Sequence, residues 1–186
     1  VPKSIKPFSK DELNNLKSLS YNNLAAEIIN SFIGDFMSKD ELISIISKSY
    51  STFRSKNVVK ISELGNLKIL ELFHGPTLAF KDVAMQLIGN FYQYHLKQEQ
   101  KKINIIVATS GDTGAAAIDA LKGKSNLNVF VLHPNNKISS VQRKLMTIHD
   151  DSNVFNIAIE GNFDDCQNLV KAMFNDEEFS KKINMS

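Results

Sequence analysis

A lysine's charge is costly to bury, yet the stretch HGPTLAFKDVAMQ (residues 74–86) sets Lys81 between Phe80 and Asp82, where a Gly75-Pro76 turn gives way to an apolar helical pattern. A lysine in the first helical turn faces the positive end of the helix dipole. Apolar neighbours strip water from it, and both effects disfavour the ammonium form. A neutral primary amine attacks carbonyl carbon, which is how Schiff-base lysines are prepared. A second reading stays open, in which Lys81 snorkels to water and Asp82 caps the helix.

Two further stretches carry chemistry. TSGDTGAAAIDAL (residues 109–121) directly follows a β-branched run. Gly111 and Gly114 let the backbone turn tightly, and the three alanines after them let a helix lie close to a sheet. Free N–H groups at that helix start make an anion cradle, assisted by the Ser110 and Thr113 hydroxyls. The alternative is an ordinary strand-to-helix turn with Asp112 as the cap. The stretch matches neither the dinucleotide glycine fingerprint nor a Walker loop, since no Gly-Lys-Ser/Thr follows. In HPNNKISSVQRK (residues 133–144), Lys137 sits on a polar turn before a Ser139/Gln142 capping box, where it can meet a phosphate or carboxylate or remain a solvated loop lysine. His74 and His133 read as polar edge residues rather than catalysts.

The elements that position these stretches follow from periodicity. Residues 21–36 place Leu24, Ile28, Phe32 and Phe36 on one helical stripe, and residues 38–54 open on a Ser38/Glu41 capping box. No strand is expected before about Val58, so residues 1–56 form a helical front segment. Beyond the Gly65-Asn66 turn, strands are expected at 67–73, 103–109, 128–133 and 153–160. Helices are expected at 82–101, 113–122, 140–148 and 164–174. Strand-helix alternation over 57–186 implies a parallel sheet in a three-layer α/β arrangement, with ligands beyond the carboxyl ends of the strands.

Composition excludes several classes. The chain has 186 residues, a formal charge of +2, one cysteine (Cys166), four histidines and two arginines, Arg54 and Arg143. The charge is too small for a nucleic-acid binder, and one cysteine forms no internal disulfide or multi-thiolate metal site. The histidines have no metal-ligand spacing, so no metal is expected. No apolar run approaches ~20 residues, and the first ten residues lack the apolar core of a signal peptide. These features point to the cytoplasm. An opening Val in place of Met suggests that something precedes it.

Taken together, ELFHGPTLAFKDVAMQ, ATSGDTGAAA, HPNNKISSVQ and GNFDDCQNLVKAMF resemble threonine synthase in its fungal and bacterial long form, from about Ser49 to the end and more faintly back to the first residue. The resemblance implies an enzyme of the pyridoxal-phosphate-dependent fold type II, converting O-phospho-L-homoserine and water to L-threonine and phosphate. It implies Lys81 as the catalytic residue, carrying the cofactor as a covalent Schiff base and then moving protons at the substrate carbons. Asp112 and Thr113 would lie by the cofactor, while Ser110, Gly111 and Thr113 receive the substrate carboxylate and Lys137 meets the substrate phosphate. Asn136 stands where the family has glycine, which leaves the shape of that turn to be determined.

The resemblance also implies that the chain is the first part of a longer enzyme. The cofactor-phosphate loop and the contact to the pyridine nitrogen would come from the remainder of that chain. Alternatives are a related phospho-lyase that degrades phosphorylated hydroxyamino acids to a keto acid, and a non-catalytic paralogue acting as a binding module. Intact Lys81, Gly111 and Lys137 argue against the latter.

Overall fold

Side chains that cap their own helices fix where most of the helices begin. The computed structural model describes residues 7–185, so residues 1–6, whose polar start bore on targeting, and Ser186 lie outside it. In chain order the elements are α1 (Lys10–Leu16), α2 (Tyr21–Ile33), α3 (Lys39–Tyr50), β1 (Lys60–Leu64), β2 (Leu67–Glu71), α4 (Asp82–Glu99) and β3 (Ile103–Ala108). There follow α5 (Asp112–Leu121), β4 (Leu127–Pro134), α6 (Ser140–Thr147), β5 (Val154–Ile159), α7 (Phe163–Asn175) and α8 (Glu177–Lys182). Reciprocal capping boxes open α1, α3, α6 and α7, at Ser9/Glu12, Ser38/Glu41, Ser139/Gln142 and Asn162/Asp165. Each satisfies amides that the first helical turn cannot pair within itself.

Two apolar bodies share α4 between them. In front, Ala26, Met37, Leu42, Ile46, Tyr50, Phe53 and Val58 are buried together. Of the stripe expected over 21–36, Ile28, Phe32 and Phe36 are exposed; α2 packs instead through Tyr21, Ala25, Ala26, Ile29 and Ile33, and gives way at Gly34 (φ 54°) to a short 3-10 turn over residues 34–36. Behind, Leu96, Ile105, Ile118, Leu121, Leu127, Val129, Val131 and Met146 form the second body. Val83, Leu87, Phe91 and Tyr94 of α4 pack on the first, as their spacing predicts, while Met85, Tyr92 and Leu96 of the same helix pack on the second.

β3, β4 and β5 form a parallel sheet in that order, and Asn104 of β3 also bridges to Met185. α5 and α7 both pack on the sheet, giving the three-layer arrangement. β4 is buried along most of its length, which is why it reads as an apolar run rather than an alternation.

One expectation is corrected. Residues 67–71 do form a strand, but it pairs antiparallel with β1 in a two-stranded sheet separate from β3–β5. β1 was not expected because Lys60, Ser62 and Glu63 dilute its apolar signal. The Gly65-Asn66 turn, with Gly65 at φ 59°, closes the two strands into a hairpin. Ile61, Leu64, Leu67, Ile69 and Leu70 of this hairpin remain exposed.

Candidate active site

Contacts along α4 and α5 climb together. Gln86 donates to Asp119 at 2.7 Å, and Lys124 reaches Asn90 (3.3 Å) and Gln93 (3.4 Å). Asn126 reaches the Leu96 carbonyl at 3.3 Å. The two helices therefore run the same way and start at the same end. They approach closely at Gly89, where a Cβ would fall 2.6 Å from the Ala120 carbonyl oxygen. This brings the start of α4, after Lys81, to the same end as the start of α5, after Gly111.

Lys81 occupies the cap position of α4 and is half-buried. Its ammonium lies 4.4 Å from the Phe80 ring centroid and meets no carboxylate or other acceptor among the described residues. The turn before it is held by Asp82, which is fully buried. One carboxylate oxygen accepts the Thr77 amide at 2.8 Å and the other accepts the Thr77 hydroxyl at 2.7 Å. Burial pushes the Asp82 carboxyl above its ordinary pKa, against these hydrogen bonds, which pull it down. Gly75 is needed here because a Cβ would lie 2.4 Å from the Asp82 side chain. Asp82 thus fixes the loop that aims Lys81, rather than capping in the usual manner from the residue before the helix.

The loop after β3 is held differently. The Thr109 hydroxyl oxygen accepts the amides of Gly111 (2.9 Å) and Gly114 (2.8 Å). The amides of Ser110, Asp112 and Thr113 have no acceptor among the described residues. Two of the N–H groups expected in the cradle are therefore consumed in shaping it, and three are left open. Gly111, at φ 140°, is the cap residue of α5, so Asp112 is the first helical residue and not the cap. An acidic residue in that first turn is favoured by the helix dipole.

After β4, Asn136 adopts φ 55°, the left-handed conformation that asparagine tolerates best after glycine. The turn therefore keeps a glycine-like shape without glycine. Lys137 is exposed on it. A cavity of about 510 Å³ beside the turn is lined by Asn136, Ile138, Ser140, Arg143, Lys144 and Thr147, so the cations it gathers are Arg143 and Lys144 rather than Lys137. Gln142 of α6 reaches across to α5, donating to the Asp112 carboxylate at 2.8 Å. His133 is buried at the end of β4, and His74 pairs with Glu71 at 2.7 Å on the far side of the turn from Lys81 in sequence. Glu71 also accepts the Ser62 hydroxyl, and these two bonds hold its carboxyl below the ordinary value.

Sequence reasoning did not single out Thr77, Thr109 or the Gln142 side chain as parts of the site. Only the five-residue spacing from Thr77 to Asp82 offered a signal. An end that gathers an acceptor-free amine and three unpaired amides can hold an anionic ligand beside a nucleophile.

Known proteins match this chain along its whole length. A profile described as "Threonine synthase N terminus" matches residues 1–50, and one described as "Pyridoxal-phosphate dependent enzyme" matches residues 57–183. A threonine synthase from Eremothecium gossypii is 46% identical over 90% of this chain and 36% of its own length. One from Pseudomonas aeruginosa is 42% identical over 97% of this chain and 39% of its own. The crystal structure of a threonine synthase from Brucella melitensis with pyridoxal phosphate bound superposes with a TM-score of 0.92 at 43% identity, covering all of this chain and 40% of that one. The yeast threonine synthase structure gives 0.91 at 41% identity, covering all of this chain and 39% of its own. The chain thus spans well under half the length of the relatives it matches.

Proposed function

Because the chain belongs to the family of pyridoxal-phosphate dependent enzymes, we propose that it provides the lysine and two ligand-reading loops of a threonine synthase that acts on O-phospho-L-homoserine in the cytoplasm. The observation that carries this reading is the acceptor-free amine of Lys81 at the same end as the open amides of Ser110, Asp112 and Thr113.

The residues present fit the cofactor. A primary amine with no carboxylate partner is the donor that an aldehyde requires, and the unpaired amides of Ser110, Asp112 and Thr113 stand at the same end. Pyridoxal phosphate, when bound, supplies the electron sink for carbanion chemistry at the amino-acid carbons. Lys81 would hold it covalently, and the same amine would take and return protons at those carbons. The Thr77–Asp82 bonds keep the backbone leading into Lys81 fixed while the amine changes partner. Ser110 and Thr113 receive the substrate carboxylate, the Gly111 amide being given to Thr109; Asp112 and Thr113 border the cofactor, and the turn carrying Lys137 faces the substrate phosphate.

Borohydride reduction of the cofactor-loaded enzyme followed by peptide mapping tests the assignment. The expected result is a pyridoxyl group on Lys81, and a group on any other lysine overturns it. Incubation with O-phospho-L-homoserine should give threonine and phosphate in equal amounts. Formation of 2-oxobutyrate in place of threonine would make the protein a phospho-lyase.

A further inference from the structure

The Gln142 side chain belongs to two elements at once. Its Oε1 accepts from Ser139, from the amide at 3.4 Å and the hydroxyl at 3.0 Å, closing the capping box of α6. Its Nε2 donates to the Asp112 Oδ1 at 2.8 Å, at the start of α5. The partners fix which way the carboxamide points, since an amide N–H can only donate and a carboxylate can only accept. The same carboxamide lies against Gly111, where a Cβ would fall 2.3 Å from Cδ. Position 111 is closed to side chains by Gln142 as well as by its own φ of 140°.

We propose that Gln142 is a positioning residue that clasps the loop over residues 110–114 to the turn over residues 135–139, so that the two loops act as one ligand-reading unit. This rests on the reading that one loop receives the substrate carboxylate and the other faces the phosphate. A group bound in either loop then orders the other, and the distance between carboxylate and phosphate is checked by a bond that touches neither. Both jobs of the carboxamide are needed: an acceptor toward Ser139 and a donor toward Asp112. Glutamate keeps the first and reverses the second, setting a carboxylate against a carboxylate.

The test separates the two jobs. In the cofactor-free protein, Q142E should leave the amide hydrogen exchange of α6 near that of the parent, because its cap survives. Exchange at Gly111 and Gly114, whose amides are held by Thr109, should rise about 10-fold as the loop is released. D112N placed over Q142E restores a donor–acceptor pair with its polarity reversed, and should recover most of the protection, giving a non-zero coupling in the double-mutant cycle. In the loaded enzyme, Q142E should raise KM for O-phospho-L-homoserine about 10-fold with kcat within about 3-fold, the pattern of lost binding rather than lost chemistry. Unchanged exchange in Q142E overturns the clasp, and so does failure of D112N to restore it. Released loops with an unchanged KM overturn the coupling of the two ligand groups. If the parent gives no pyridoxyl Lys81 but shows the expected exchange pattern, the functional reading fails and the clasp stands.

Discussion

The two ends of the α4–α5 pair treat their polar groups in opposite ways. At the far end side chains close the backbone groups where α5 gives way to β4. The Asn153 side chain alone donates to the carbonyls of Leu121 (3.0 Å), Lys124 (3.2 Å) and Leu127 (3.0 Å), and accepts the Gly123 amide at 2.9 Å. Asn126 reaches the carbonyls of Leu96 and Lys101. At the near end, amides of the α5 loop and the amine of Lys81 are left open, while their neighbours are held by Thr109, Asp82 and Gln142. The contrast teaches where to look for chemistry. An end that spends side chains on closing backbone groups is scaffold, and an end that spends them on shaping a loop while leaving donors open is built to meet a ligand.

Removing Lys81 should have the largest effect. Lys81→Ala and Lys81→Arg both lose the primary amine, and turnover should fall by at least about 10²–10⁴-fold. Absorbance and turnover assays of the loaded enzyme check this, with circular dichroism expected to show an unchanged fold. At the closed end the outcome should invert. Asn153→Ala strips partners from three carbonyls and one amide, and should cost about 3 kcal/mol of stability in urea unfolding, with KM and kcat unchanged in the folded fraction. An altered KM would mean that the closed end is not mere scaffold.

Thr109→Val falls between these. It keeps the shape of the side chain but leaves the Gly111 and Gly114 amides without their acceptor, so about 2 kcal/mol of stability should go together with a raised KM. Thr109→Ser keeps the hydroxyl and should retain the KM, which isolates the hydrogen bonds from the packing.

The two ends also carry buried charges of opposite sign, and pH sharpens the comparison. Asp82 holds its proton more tightly when folded than unfolded. Its contribution is fully present below the ordinary carboxylate range and is lost as pH rises through its raised folded value. Asp82→Asn should therefore flatten that fall, seen as a difference between the two stability–pH curves. It should also loosen the turn, since a carboxamide cannot accept from both Thr77 donors. Lys124 is the mirror case. Burial, with Lys48 nearby, pushes its pKa down to about 8 from 10.5, so the unfolded chain binds the extra proton between those values. Stability should rise across that window, and Lys124→Met should remove the slope. This is the smallest effect, because Lys124 is only half-buried and water screens it.

The local devices were legible in the sequence. Ser38/Glu41 and Ser139/Gln142 cap their helices because donor and acceptor lie three residues apart, and the apolar run at 103–108 forms a strand, though one half-buried at the edge of the β3–β5 sheet, with β4 the covered one. Lys81 was legible as the residue whose type disagrees with its surroundings. What only the tertiary structure decided depends on partners distant in sequence. β2 joins a hairpin instead of the parallel sheet, since a strand's sequence sets its pleat but not its neighbour. Gln142 meets Asp112 across thirty positions, and α4 lies along α5 with both starts together only because Gly89 admits the Ala120 carbonyl. Thr109 reads as the last residue of a strand, and its hydroxyl becomes the acceptor for two loop amides only once Gly111 turns the chain back over it. Spacing along the chain fixes hydrogen bonds within a turn. Which amides stay open is decided by where the other elements place their side chains.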